Sequence, residues 1–257
     1  MKLTTLLAAA GLLLATLAPA AHATDGVVLL NQATSINGLP GCAANPAALV
    51  VICQPGSYRL AGNLQLGAKA LGVLIQADNV SLDLNGFAIT GPGAASATEC
   101  IAALGPSGNP TGAHHQIANG VVAGCGFGVH LNSAATVRNL IAADCNIGVG
   151  VALDGLVEDT TVESAARYGI ELSTGSVLRC RIVGGTPLYG VVADHDVLVL
   201  QSEVAQAASA LLGEGSVAYG LNLFHDLTHM SGGIPLPEIN GGGVSMGNNV
   251  CSNFQKC

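Results

Sequence analysis

An all-β solenoid, in which short parallel strands stack coil upon coil, is the fold predicted by three observations. Apolar residues recur at a fixed interval, glycine–apolar pairs recur beside them, and charged residues make up only 9% of the 257-residue chain against roughly 25% in ordinary globular domains. Ile117, Val137, Val157, Val177, Val197 and Val217 form one column at a spacing of 20. Gly128-Val129, Gly148-Val149, Gly169-Ile170, Gly190-Val191 and Ala210-Leu211 form a second at 20 to 21. A third column, Asn119, Asn139 and Asp159, falls where a turn is expected.

A repeat this short has no room for a strand, a helix of usual length and two loops, so each unit is a coil of short strands. Coils stacked in parallel rise about 4.8 Å each, the spacing of neighbouring strands. Inward Val, Ile, Leu and Ala then meet their own kind in one dry cylinder, which accounts for the low charge. Asn side chains at the turns are expected to pass amide hydrogen bonds from coil to coil. A leucine-rich repeat has a similar period, but its L-x-x-L-x-L-x-x-N pattern is missing. Gly126-Phe127-Gly128 imitates a nucleotide loop; its echo at Gly148 marks it as architecture, since no glycine-rich loop leads from a strand into a helix. No G-x-S-x-G elbow occurs either.

Taken in order, residues 1–23 hold Lys2, an apolar run from Leu6 to Leu17 and Ala21-His22-Ala23, the three regions of a cleaved secretory signal. The apolar run is too short to span a bilayer, which needs roughly 20 residues. Residues 24–62 are expected to cap the first coil, because a bare parallel edge recruits other chains. Coils occupy 63–230, interrupted between Gly91 and Gly112 by a Gly-, Pro-, Ala- and Ser-rich insertion of the kind that projects from a binding face. Residues 231–257 form a closing loop.

Without Lys2 the chain carries seven Lys and Arg against sixteen Asp and Glu, a formal charge of −9, which argues against nucleic acid as a partner. Eight aromatics without Trp make stacking surfaces scarce. All eight cysteines follow residue 23, and an even count in an exported chain reads as disulfides. Cys42 with Cys53 and Cys251 with Cys257 are close in sequence. Cys125 and Cys145 share a repeat position on adjacent coils, within disulfide reach. Cys100 and Cys180 are left over, and Cys180 falls in the inward column of Gly120, Leu140 and Thr160.

Gly56-Ser57-Tyr58-Arg59-Leu60, Asn79 through Phe87 (NVSLDLNGF) and Asn119-Gly120-Val121-Val122 resemble the opening coils of bacterial right-handed parallel β-helix proteins of the pectate-lyase-like superfamily. The likeness runs from about Gly56 to Asn249, and the ending that closes on Cys257 is similar to the terminal disulfide loop of such proteins. It implies a right-handed, single-stranded β-helix of about 20-residue coils. It does not specify an activity, because that fold carries lyases, hydrolases, epimerases and non-catalytic proteins.

A polysaccharide lyase would need a base beside the uronate and Ca²⁺ or cationic side chains on its carboxylate. Arg179 and Arg181, near Glu158, Asp159 and Glu203, form the candidate glycan patch, with a surface ion-pair network as its structural alternative. The family's hydrolase motifs are missing, and Asp194-His195-Asp196 reads as a polar turn. His225, Asp226 and His229 are weak metal ligands, lacking a third strong donor or a catalytic Glu, and His114-His115 stand near the insertion. The expected function is therefore that of an exported, secreted or periplasmic, monomeric protein that binds a polysaccharide or cell-surface glycan and requires no cofactor. The alternatives are a pectate-lyase-like enzyme using Ca²⁺ and a structural or adhesive surface protein.

Overall fold

The computed structural model describes residues 26–33, 39–104, 111–185, 187–227, 230–231, 234–235, 239–241 and 243–251. The expected leader, 1–23, lies outside them. The described chain is an all-β parallel solenoid, essentially without helix, with coils about 21 residues long. No helix among the described residues is long and apolar enough to cross a membrane.

Each coil has three faces. The first carries strands such as Gly155–Glu158, Gly175–Leu178 and Val197–Leu200; the second carries Thr161–Glu163, Arg181–Val183 and Glu203–Ala205. These two faces merge into one 17-stranded sheet because Gln116–Ala123 and Thr136–Ala143 run through both. The third face is a separate nine-stranded sheet from Ala48–Ile52 to Ile239–Gly241.

Three columns of left-handed backbone turn the chain between faces. Asn85, Asn119, Asn139, Asp159, Arg179, Gln201, Leu221 and Asn248, at φ 48° to 63°, separate the first face from the second. Gly124, Asp144, Ser164, Gly184, Gln206 and Asp226 separate the second from the third; Asn79, His114, Ala134, Asp154 and Asp196 lead back to the first. Asn, Asp and Gly tolerate this conformation best, which explains the expected turn ladder. Asn119 donates to Asp83 Oδ1 at 3.1 Å and Asn139 to Asn119 Oδ1 at 3.5 Å, while Arg179 donates to Asp159.

The apolar column is inward as expected, with Ile117, Val137, Val157 and Val177 fully buried. It then slips. Val177 pairs with Val199 and Val199 with Tyr219, whereas Val197 pairs with Gly175 on one side and Val217 on the other. The turn containing Gly184 and Gly185 lengthens that coil, and Arg181 lies 22 residues from its partner Glu203. A shift of two keeps every side chain on its own side of the strand, so Val197 stays buried. The supposed interruption from Gly91 to Gly112 likewise contains a regular third-face strand, Glu99–Ala103.

The glycine column is a close backbone approach. A Cβ on Gly148 would sit 2.6 Å from the Gly169 carbonyl oxygen, and one on Gly169 2.5 Å from that of Gly190. Beside the Val column runs an inward polar one: Thr160, Cys180, Ser202 and Asn222 are all buried. Asn222 Oδ1 accepts from the Ser202 amide at 2.9 Å, its Nδ2 donates to the Val199 carbonyl at 3.0 Å, and Asn249 Oδ1 accepts from its amide at 3.1 Å. This inner ladder satisfies backbone groups at the bend.

Cys42 and Cys53 are bridged, as expected, with Cα atoms 5.5 Å apart. The Cys125–Cys145 pairing is overturned: Cys125 is bridged to Cys100, Cα–Cα 5.8 Å, and Cys145 is a buried free thiol. Residues at one repeat position send parallel side chains inward, so Cys145 reaches the Ala143 carbonyl and the space over Gly128 rather than Cys125. Cys100 arrives from the third face and meets Cys125 across the coil. Cys180 is free and buried, as its column implied, and Cys251 is disulfide-bonded; Cys257 lies outside the described residues. Two bridged pairs point to an oxidising compartment.

Candidate functional site

The outer side of the third face is covered at its start and open afterwards. Leu74, Ala102 and Leu104 are buried in a small cluster with Ala48 and Val51, against which Cys42 and Cys53 pack. Where that cover ends, Phe127, His130, Gly150, Val151, Ala152, Glu171 and Ser173 line a cleft of about 240 Å³.

Strand register builds the cleft. His130, Gly150 and Glu171 occupy one position on three successive strands, and Phe127, Ile147, Tyr168 and Tyr189 occupy another on four. With hydrogen in place of a side chain, Gly150 leaves a gap between its neighbours. Glu99 Oε2 lies 3.1 Å from His130 Nδ1, and the Phe127 ring stacks on the imidazole at 4.4 Å and 14°. The His130 Cδ2 edge faces Gly150, so adjacent Nε2 lies on the cleft side.

Glu171 is half-buried, and among the described residues no group hydrogen-bonds its carboxyl. Burial first, then the charge of Asp194, pushes its pKa up, against the opposing pull of Arg167 and His130. Ser173 donates to Asp194 Oδ2 at 2.8 Å on the same side. The Arg167 guanidinium lies 4.6 Å from the centre of the Tyr168 ring, and Asn240 donates to the Tyr189 hydroxyl at 3.1 Å.

Aromatics are few but gathered. Tyr58, Tyr219 and Phe224 are buried in the core and Phe87 packs against it; the remaining three among the described residues, Phe127, Tyr168 and Tyr189, share the outward column. Composition reveals only their scarcity. Their alignment was visible in the sequence as spacings of 41 and 21 that match the strand register.

The residues singled out from sequence form two other clusters. At the bend between the first and second faces, Arg179 binds Glu158 at 2.9 Å and Asp159 at 2.8 Å; its hydrogen bonds hold the Asp159 carboxyl below its ordinary range. On the second face, Glu203 joins Arg181 and His225, both at 2.9 Å, and Asp226 takes the other imidazole nitrogen at 2.9 Å. Both guanidinium groups therefore already have carboxylate partners. His229 lies outside the described residues, and no group of three or more metal-ligating side chains is found among those described. Asp194 borders the cleft while Asp196 turns the chain two residues later. His115 is buried, its Nε2 3.0 Å from the Ala77 carbonyl oxygen, and belongs to the packing.

No protein-family model, curated protein or solved structure matches this chain. The likeness to the pectate-lyase-like superfamily therefore extends to the β-solenoid architecture and no further.

Proposed function

We propose that this chain is an exported glycan-binding solenoid whose ligand lies along the outer side of the third face. The outward column of Phe127, Tyr168 and Tyr189 carries this reading. Aromatic faces pack against the C–H faces of sugar rings, and polar groups beside them hydrogen-bond the hydroxyls. Glu171, Ser173, Asp194 and His130 supply both donors and acceptors along the same strip. Coil spacing of about 4.8 Å places such groups at intervals close to the length of one sugar unit.

Calorimetric titration of the full chain against neutral and acidic oligosaccharides tests it. Saturable binding to at least one glycan, weakened tenfold or more by Tyr168→Ala, is expected; silence across the panel would end the proposal. Adhesion without saturable glycan binding would favour the structural surface protein.

A further inference from the structure

We infer that a groove on the outer side of the first face binds the carboxylate of a small hydroxylated acid between Arg59 and Arg138. The groove is separate from the third-face cleft and does not depend on glycan binding there.

Arg138 carries the argument. Among the described residues it is the one lysine or arginine without an ion pair, a hydrogen bond or a ring contact. Arg59 pairs with Asp83, Lys69 donates to the Pro46 carbonyl, Arg167 rests on Tyr168, and Arg179 and Arg181 hold carboxylates. The register partner of Arg138 on the next strand is Glu158, but Arg179 takes that carboxylate at 2.9 Å. On the other side its partner is Ala118, which has no charge to offer.

Strand register builds the groove. Arg59, Asp83, Ala118 and Arg138 occupy one outward position on four successive strands. The small Ala118 side chain leaves a hollow of about 210 Å³ that both arginines line. That is below the roughly 300 Å³ at which sites for drug-sized ligands begin, so the occupant is small. Arg59 gives only Nε to Asp83, at 3.0 Å, and its terminal nitrogens remain free to donate. Asp83 Oδ1 already accepts from Asn119 Nδ2 at 3.1 Å and from the Asn85 amide at 2.8 Å. Two guanidinium groups against one carboxylate leave a single positive charge in an otherwise acidic chain, which a monoanion balances. The two oxygens of a planar carboxylate match the guanidinium fork.

The rim selects the rest of the ligand. Ser57, Ser81 and Gln116 share one position on three successive strands, two residues before the arginine column, and line the same groove. Their side chains make no hydrogen bond among the described residues. Two hydroxyls and an amide, each able to donate and accept, suit the hydroxyls of a sugar acid better than a fatty or aromatic acid.

NMR titration of the isotope-labelled full chain with sodium gluconate at low ionic strength tests the site through the arginine Nε–H signals. Saturable shifts at both Arg59 and Arg138 are expected, with affinity falling as salt is added. Arg138→Gln, an exposed substitution, should fold as the parent does and weaken gluconate binding about tenfold or more, as expected for lost hydrogen bonds to a charged group. Ala118→Leu, which fills the hollow without changing charge, should weaken it similarly. Acetate, lacking the hydroxyls, should bind about fivefold or more weakly than gluconate. Absence of saturation, or undiminished affinity in Arg138→Gln, overturns the site. Acetate binding as tightly as gluconate overturns the hydroxylated ligand, and phosphate binding more tightly overturns the carboxylate. Calorimetric binding of glycans should be unchanged in Arg138→Gln, so either site can fail without the other.

Discussion

His130 and Glu171 stand two strands apart at one register position, with Gly150 between them and no side chain filling the space. That vacancy exists only because the middle residue lacks a Cβ. A Cβ at Gly150 would sit 3.4 Å from Phe127, an ordinary van der Waals contact, so the glycine is not required by packing. Gly150 is buried, yet an added methyl meets nothing closer than ordinary contact, so Gly150→Ala should change stability by no more than about 1 kcal/mol. Gly150→Phe should fold equally well and weaken glycan binding at least tenfold by calorimetry. Undiminished binding in Gly150→Phe would place the ligand elsewhere.

Gly148 presents the opposite case two residues earlier. Its added Cβ would meet the Gly169 carbonyl at 2.6 Å and the Val162 side chain at 2.6 Å. The coil stack cannot open there without breaking neighbouring pairings. Gly148→Ala should cost about 1 to 3 kcal/mol, the range for overpacking a tight interior. Denaturant midpoints of the two alanine variants give the comparison directly, and equal midpoints would refute this account of the glycine column.

The coil architecture was legible because stacking like on like writes the same residue type at the same interval: Val137 above Val157, Gly148 above Gly169, Asn119 above Asn139. Where a turn changes length, periodicity misleads, and Val197 was aligned two positions from its true neighbour. Cys125 and Cys145 were misread for a related reason. A shared position implies proximity, but it also implies parallel side chains, and a bridge needs converging ones. The cleft was illegible because the residues that share its repeat position are of different types, so no column of like residues marks it. His130, Gly150 and Glu171 are three unlike residues, and only strand register shows them to be neighbours.

The cysteines separate by chemistry. Cys145 and Cys180 are buried, and burial pushes each thiol up to about 11. Thiolate is the reactive form, so neither should be labelled by a maleimide or disulfide reagent in the native protein, and both should react after unfolding. The Cys100–Cys125 bridge spans a sequence separation of 25. Replacing both residues by Ala should cost about 2 to 4 kcal/mol, chiefly by freeing the unfolded chain. Labelling of Cys145 in the folded state would contradict the burial on which this rests.

Asn222 is the inner ladder's most connected side chain. Asn222→Leu would leave the Ser202 amide and the Val199 carbonyl without their partners in a buried bend. An unsatisfied buried polar group costs about 1 to 3 kcal/mol, so the variant should unfold at clearly lower denaturant. Asn222→Asp restores the acceptor but not the Nδ2 donor, and it buries a charge; it should be no better. A neutral effect from Leu would show that the ladder contributes no stability.

His225 couples the second face to pH. Hydrogen bonding to Glu203, then to Asp226, raises the imidazole pKa above its ordinary value of 6.5, and the bond from His225 lowers that of Glu203 below 4.5. A raised histidine contributes stability that is complete below its unfolded pKa and disappears as pH climbs through the folded one. The lowered Glu203 contributes above its unfolded pKa, and that contribution disappears as pH falls through its folded value. The stabilising window therefore runs from about pH 4.5 up to the elevated His225 pKa, and salt should narrow the benefit because the cluster is partly solvated. NMR titration of the His225 ring should give a pKa above 6.5 that returns toward it in Glu203→Gln. The melting-temperature difference between the wild type and His225→Gln should be largest inside the window and shrink as pH rises past it. A difference that grew with pH would mean that the neutral ring, not the imidazolium, is what the second face holds.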